Sequence, residues 1–94
     1  MLGRWLGTIF MPEPRPFTMD ITEQRGSQYF GTYRDIAFGT VTLTWDGGDR
    51  VEFFVYFGDG SGVYRGTFIE PDRVRGSMRY DKIPRTLDFD MSRY

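Results

Sequence analysis

The stretch RVEFFVYFGDGSGVYRGTFI, residues 50–69, decides the fold of this chain. On both sides of its glycine-rich centre, large apolar side chains recur at every second position, a period typical of β-strands. Asp59 and the glycines around it are typical of a turn. The stretch therefore predicts strands over 50–57 and 63–69, joined by a short connection and paired antiparallel.

The same pattern continues along the whole chain. It predicts eight strands, over residues 4–11, 17–24, 28–34, 39–45, 50–57, 63–69, 73–80 and 85–93. Short connections rich in Gly, Pro and Asp separate these strands, and no ten-residue stretch has a helical period. We expect one all-β domain over residues 1–94, a sandwich or a barrel. The short connections favour an eight-stranded antiparallel up-and-down (meander) β-barrel, since closure removes both sheet edges.

Composition narrows the functional classes. The chain has no cysteine and no histidine, which excludes thiolate and Ser-His catalysis and zinc sites built on Cys or His. Among the carboxylates, Glu23 has the clearest inward position, and no two carboxylates converge for acid–base work. The Gly-rich turns at Asp46, Asp49 and Asp59 lack the spacing of a calcium loop. We expect no enzyme activity, no metal and no cofactor.

Charge and hydropathy bear on partners and location. The formal net charge of −1 gives no uniform attraction to nucleic acid, and we do not expect a nucleic-acid partner. The arginine excess over residues 63–85 is interpreted as a solvated face whose charges pair with Asp88 and Asp90. No apolar run approaches a membrane span, so no membrane partner is expected. No signal peptide is visible, and we expect a cytoplasmic location.

The two ends of the chain belong together in such a barrel. First and last strands are neighbours in an eight-stranded meander, which brings Trp5 and Arg93 to the same end. A guanidinium stacked on an indole contributes about 0.5–2 kcal/mol. Gly3-x-Trp5 at the start of the first strand, with Arg93 late in the last, resembles the structural signature of the calycin superfamily, which includes lipocalins, fatty-acid-binding proteins and avidins. The resemblance extends over the whole chain as a pattern and implies a ligand-binding barrel.

The opposite end of the barrel is the predicted binding mouth. Inward residues near it are predicted to contact a small apolar or aromatic ligand: Met11, Tyr33, Phe57, Tyr64 and Tyr80. Buried tyrosine hydroxyls need hydrogen-bond partners, which a ligand can supply. The alternative is that the hydroxyls face water or loop carbonyls. The first functional hypothesis is therefore a non-enzymatic, lipocalin-like binding barrel.

Apolar residues on the outer face support a second hypothesis. Phe54, Tyr56, Val63 and Ile69 have outward positions on the fifth and sixth strands. An exposed apolar patch of this kind marks an interface. We expect a homodimer or a higher homo-oligomer through these residues. The alternative function is thus an oligomeric structural or protein-interaction module without a ligand.

Overall fold

Eight strands form a closed barrel in a computed structural model that describes all of residues 1–94. The strands are β1 (Gly3–Phe10), β2 (Pro14–Arg25), β3 (Gln28–Arg34), β4 (Phe38–Thr44), β5 (Arg50–Phe57), β6 (Gly60–Glu70), β7 (Arg73–Tyr80) and β8 (Leu87–Arg93). Each strand pairs antiparallel with the next, and β8 pairs with β1. The predicted all-β, eight-stranded up-and-down barrel is confirmed. The chain contains no helix long and apolar enough to cross a membrane.

Some strand bounds differ from the prediction. β2 begins at Pro14, inside a segment predicted to be a connection, and β6 begins at Gly60. Pro14 and Pro16 pair with β1 alone, because the partner ladder on β3 starts opposite Thr18. A missing proline N–H is tolerated where no second strand needs it. β8 begins at Leu87, two residues later than predicted.

The barrel interior is a packed hydrophobic core. Nineteen buried residues form one cluster, and none of them is charged. Large aromatic side chains dominate its centre: the Phe53 and Tyr64 rings stack with centroids 4.4 Å apart, and the Phe89 ring meets Tyr64 edge-on at 5.2 Å. No buried side-chain nitrogen or oxygen lacks a hydrogen-bond partner. Side chains therefore fill this eight-stranded barrel, one of the two outcomes that its strand number permits.

A bulge in β2 corrects one predicted orientation. The β2–β3 ladder shifts between Ile21 and Glu23, after which Glu23 lies opposite the outward-facing Phe30. The Glu23 side chain is 50% exposed and forms an ion pair with Arg25 at 3.2 Å. The prediction that Glu23 points inward is wrong, because an extra residue in one strand reverses the alternation beyond it.

Two inward glycines allow neighbouring strands to cross closely. A side chain at Gly31 would collide with the backbone of Asp20, and one at Gly76 would collide with the backbone of Arg65. Both positions therefore need a residue without a Cβ atom. The glycines thus serve the strong coiling of strands in a narrow barrel, and they leave no internal space for a ligand.

Candidate functional site

The closed end of the barrel is built from the two chain termini. Trp5 is fully buried and pairs in register with Arg93, whose guanidinium carbon lies 4.8 Å from the indole ring centroid. The Arg93 guanidinium donates to the Leu2 carbonyl oxygen and, at 3.0 Å, to the Asp72 carboxylate. The Trp5 indole N–H donates to the Met1 carbonyl oxygen at 3.0 Å. These contacts join the first strand to the last.

Gly3 meets two requirements at this end. Its φ of +118° lies in a region that residues with a side chain rarely adopt. A Cβ atom there would also lie 3.2 Å from the Arg93 guanidinium. The structure thus brings together Gly3, Trp5 and Arg93, the residues assigned to barrel closure.

The predicted mouth contains a cluster of tyrosine hydroxyls. Tyr33 and Tyr64 are fully buried, and their hydroxyl oxygens lie 2.7 Å apart. The Tyr33 hydroxyl donates to Oδ2 of Asp35 at 3.2 Å, and the Tyr80 hydroxyl donates to the same oxygen at 3.2 Å. The Tyr33 and Tyr80 hydroxyls therefore bind one carboxylate of the protein itself, and Tyr64 joins them through its bond to Tyr33. We call Tyr33, Tyr64, Tyr80 and Asp35 the mouth cluster.

Asp35 comes from a connection, not from a strand. It begins the three residues between β3 and β4, and its Oδ1 accepts the Ala37 N–H at 2.6 Å. The backbone N–H of Asp35 donates to the Ala37 carbonyl oxygen at 2.9 Å. An Asp bonded to the backbone two residues later is a local turn preference that the sequence carries. The contacts with tyrosines 2 and 45 residues away have no such local pattern.

Burial controls the protonation of the mouth cluster. It raises the pKa of Tyr33 and of Tyr64 far above the ordinary value, and the charges of neighbouring tyrosines raise both further. Burial, followed by the negative charge of Asp35, also raises the pKa of Tyr80. The three phenols therefore keep their protons at neutral pH and act as hydrogen-bond donors. They are poorly suited to act as bases or nucleophiles.

The other predicted mouth residues surround this cluster in part. Phe57 is half-buried, with its ring edge-on to Tyr33 at 5.6 Å and tilted to Tyr80 at 6.0 Å. Met11 follows the end of β1 and packs against the core while partly exposed. At the mouth, aromatic side chains therefore lie around one polar group, the Asp35 carboxylate with its tyrosine hydroxyls.

The outer face of β3 to β6 carries aromatic residues, of which Tyr56 is exposed and Phe30 and Phe54 are partly exposed. The register places Phe54 opposite Val63 on one side and Thr42 on the other, and Thr42 lies opposite Phe30. The Phe54 and Tyr56 rings lie nearly parallel, with centroids 6.5 Å apart. We call Phe30, Phe54, Tyr56 and Val63 the outer aromatic patch. It includes three of the four residues predicted for an interface.

The fourth predicted interface residue lies elsewhere. Ile69 is 46% exposed and sits at a bulge between Phe68 and Glu70. Six residues of strand, about 20 Å, separate it from Val63. Arg65 and Thr67 are exposed along that distance. Ile69 is therefore not contiguous with the outer aromatic patch.

The arginine-rich outer face is largely paired. Asp90 accepts ion pairs from Arg73 at 3.0 Å and from Arg75 at 3.2 Å. Hydrogen bonds from Arg73 hold the pKa of Asp90 below its ordinary value, and Arg75 adds to this. Glu52 pairs with Arg65 at 2.6 Å. These cross-strand pairs fit the interpretation of a solvated face, although it is Asp90, and not Asp88, that accepts them.

Comparisons with protein-family models, curated proteins and solved structures found no match to this chain. The class of protein is therefore defined by the architecture: a closed, eight-stranded up-and-down β-barrel with a filled core. No group of three or more acidic side chains is placed to hold a metal ion.

Proposed function

We propose that this protein is a non-enzymatic interaction module that self-associates through the outer aromatic patch. One observation carries the proposal: three apolar side chains, Phe30, Phe54 and Val63, lie in one row across the outer face, with Thr42 as the one polar member. Tyr56 extends this row toward the mouth and is 52% exposed. The largest contiguous apolar patch on a protein surface is often an interaction site.

The surroundings of the patch suit a second copy of the same chain. The cross-strand neighbours of Phe54 and Tyr56 are short: Thr40, Thr42, Ser61 and Val63. Tyr56 is therefore exposed, and Phe54 is partly exposed beside it. A two-fold axis through such a face brings the same aromatic surface from both copies together, and aromatic side chains are enriched in interface cores.

The size of the patch limits the strength of this association. Four strands spaced about 4.8 Å apart, over about 15 Å of their length, present roughly 300 Å² per partner. Stable interfaces bury roughly 800 Å² per partner. We therefore expect a weak dimer with a Kd in the micromolar range or above, whose population depends on protein concentration.

The test introduces charge into the patch. Phe54→Asp combined with Tyr56→Asp is expected to abolish the concentration-dependent increase in mass measured by sedimentation velocity. Ile69→Asp is the control, since it places a negative charge on an exposed apolar position outside the patch. This variant should still dimerise. A wild-type protein that stays monomeric up to millimolar concentration would contradict the proposal, and so would a double variant that dimerises like the wild type.

A second candidate function is small-ligand binding at the mouth. The specific observation in its favour is a hydrogen-bonded group of three tyrosine hydroxyls that ends on the half-buried Asp35 carboxylate. The core of the barrel is otherwise apolar. The closure by Gly3, Trp5 and Arg93 supports a relationship to the calycin superfamily, in which a ligand would enter at the opposite end. Because the interior is filled, such a ligand would sit at the rim, where Asp35 now lies.

A further inference from the structure

Three phenols direct their protons toward one place at the barrel mouth. Tyr33 and Tyr80 both donate to Oδ2 of Asp35, so the proton of the shared Tyr33–Tyr64 hydrogen bond comes from Tyr64. Each hydroxyl carries one proton, which fixes this direction. A chain of donors that ends on one oxygen stabilises a negative charge there, and such charge-assisted bonds are the stronger ones. The barrel mouth thus provides hydrogen-bond donors that are arranged to bind a carboxylate.

The carboxylate that fills this position is not part of the barrel wall. Asp35 reaches it from the connection between β3 and β4, and the next residue, Ile36, is 85% exposed. Tyr33 and Tyr80, which bind the Asp35 side chain, lie on strands. Asp35 itself lies in a three-residue loop. The Asp35 side chain can therefore leave its place without unpacking the core.

The surface beside the polar point is apolar. The half-buried Phe57 ring packs edge-on against Tyr33, and the exposed Ile36 side chain stands in the adjoining connection. A group attached to a carboxylate at this position would lie near the Phe57 ring, which contacts both tyrosines that bind the carboxylate. An apolar body of the size of one aromatic ring suits these neighbours.

We infer that the mouth cluster is a carboxylate site which Asp35 occupies as an internal ligand, and that a small carboxylic acid with an apolar body takes its place. The inference rests on the small-ligand function proposed above and names its ligand class. It is independent of self-association, because the mouth cluster and the outer aromatic patch share no residue. Asp35 acts as an intramolecular competitor, with the high effective concentration that a short tether gives.

The experiment removes the internal carboxylate and supplies an external one. Asp35→Ala is expected to lower the Tm by about 5–10 °C, because the Tyr33 and Tyr80 hydroxyls lose their shared acceptor. Added benzoate should restore the Tm, by about 7 °C for each tenfold increase once its concentration exceeds the Kd. Acetate should act only at higher concentration, since it lacks the apolar body. Benzamide and sodium chloride should have no effect.

Two matched variants separate this site from a general effect of carboxylates. Asp35→Asn keeps the shape of the side chain and leaves no room for benzoate, so it should not respond. Asp59→Ala removes a carboxylate from the neighbouring mouth turn that is 88% exposed, and it should respond no more than the wild type. The wild type itself should need at least about tenfold more benzoate than Asp35→Ala, because Asp35 competes.

Several results would overturn the inference. One is that benzoate does not raise the Tm of Asp35→Ala. Another is that benzamide raises this Tm as much as benzoate does. A third is that benzoate raises the Tm of Asp59→Ala as much as that of Asp35→Ala. Neutral aromatic compounds that bind the wild type while carboxylates do not would support small-ligand binding but reject this ligand class. If Asp35→Ala does not fold alone, its refolding yield with benzoate against benzamide decides the same question.

Discussion

The two ends of this barrel are closed by different chemistry. At one end an arginine stacks on a buried tryptophan, and both side chains also bond to backbone carbonyls near the chain start. At the other end phenols bond to a carboxylate that a loop provides. The first closure depends on burial and on the stacking of a guanidinium on an indole. The second depends on directional hydrogen bonds and on protons.

The two ends differ in how much of the fold depends on them. The closed end joins the first and last strands, so loosening it opens the ladder that makes the sheet a barrel. The mouth cluster can lose its loop carboxylate while its strands stay paired. A site that exchanges partners is therefore expected at the mouth and not at the closed end.

The largest effect is expected from Trp5→Ala at the closed end. The substitution leaves a cavity in the core and removes the surface on which Arg93 stacks. The free energy of unfolding should fall by about 3–5 kcal/mol, measured by urea denaturation. Trp45→Ala is the matched control at the same end. Trp45 is only half-buried, so its loss should cost less, and an equal or larger cost would remove the special role of Trp5.

A smaller effect is expected at the mouth from Tyr33→Phe. The variant keeps the ring but removes a hydroxyl that bonds to both Tyr64 and Asp35, so a buried Tyr64 hydroxyl loses its partner. The free energy of unfolding should fall by about 1–3 kcal/mol. Tyr56→Phe removes an exposed hydroxyl and should leave stability unchanged. Equal effects of the two variants would contradict a bonded mouth cluster.

The two ends should also differ in alkaline solution. Burial raises the pKa of Tyr33 and Tyr64 in the folded chain, whereas an unfolded tyrosine titrates near a pKa of about 10. Above that pH the unfolded chain binds fewer protons than the folded one, so the free energy of unfolding decreases as the pH rises. Below it this contribution to stability is fully present. The slope should be about 1.4 kcal/mol per pH unit for each tyrosine that stays protonated.

The chain is well suited to this pH experiment. Lys82 is its only lysine, so few other groups titrate above pH 9. Urea denaturation at increasing pH should give a shallower slope for Tyr33→Phe than for the wild type, since one tyrosine fewer contributes. Identical slopes for Tyr33→Phe and the wild type would show that this phenol does not stay protonated in the folded chain.

Particular residues show how far the sequence could lead. The inward positions of Trp5, Tyr33 and Tyr64 could be predicted because a strand alternates its faces strictly. Glu23 was assigned to the wrong face because the bulge before it adds a residue that the alternation does not reveal. Asp35 could not be predicted because a connection has no period, and its two tyrosine partners lie on two different strands, Tyr33 on β3 and Tyr80 at the end of β7.

The sequence by itself determined the number and order of the strands, the closure of the first on the last, and the apolar interior. These follow from alternation, turn residues and chain order, which are local properties of the chain. Only the tertiary structure decided that the interior is full and that an Asp from a loop satisfies the mouth tyrosines. The volume left inside the barrel and the geometry of these hydrogen bonds depend on where side chains distant in sequence meet in space. Those distances cannot be read from spacing along the chain.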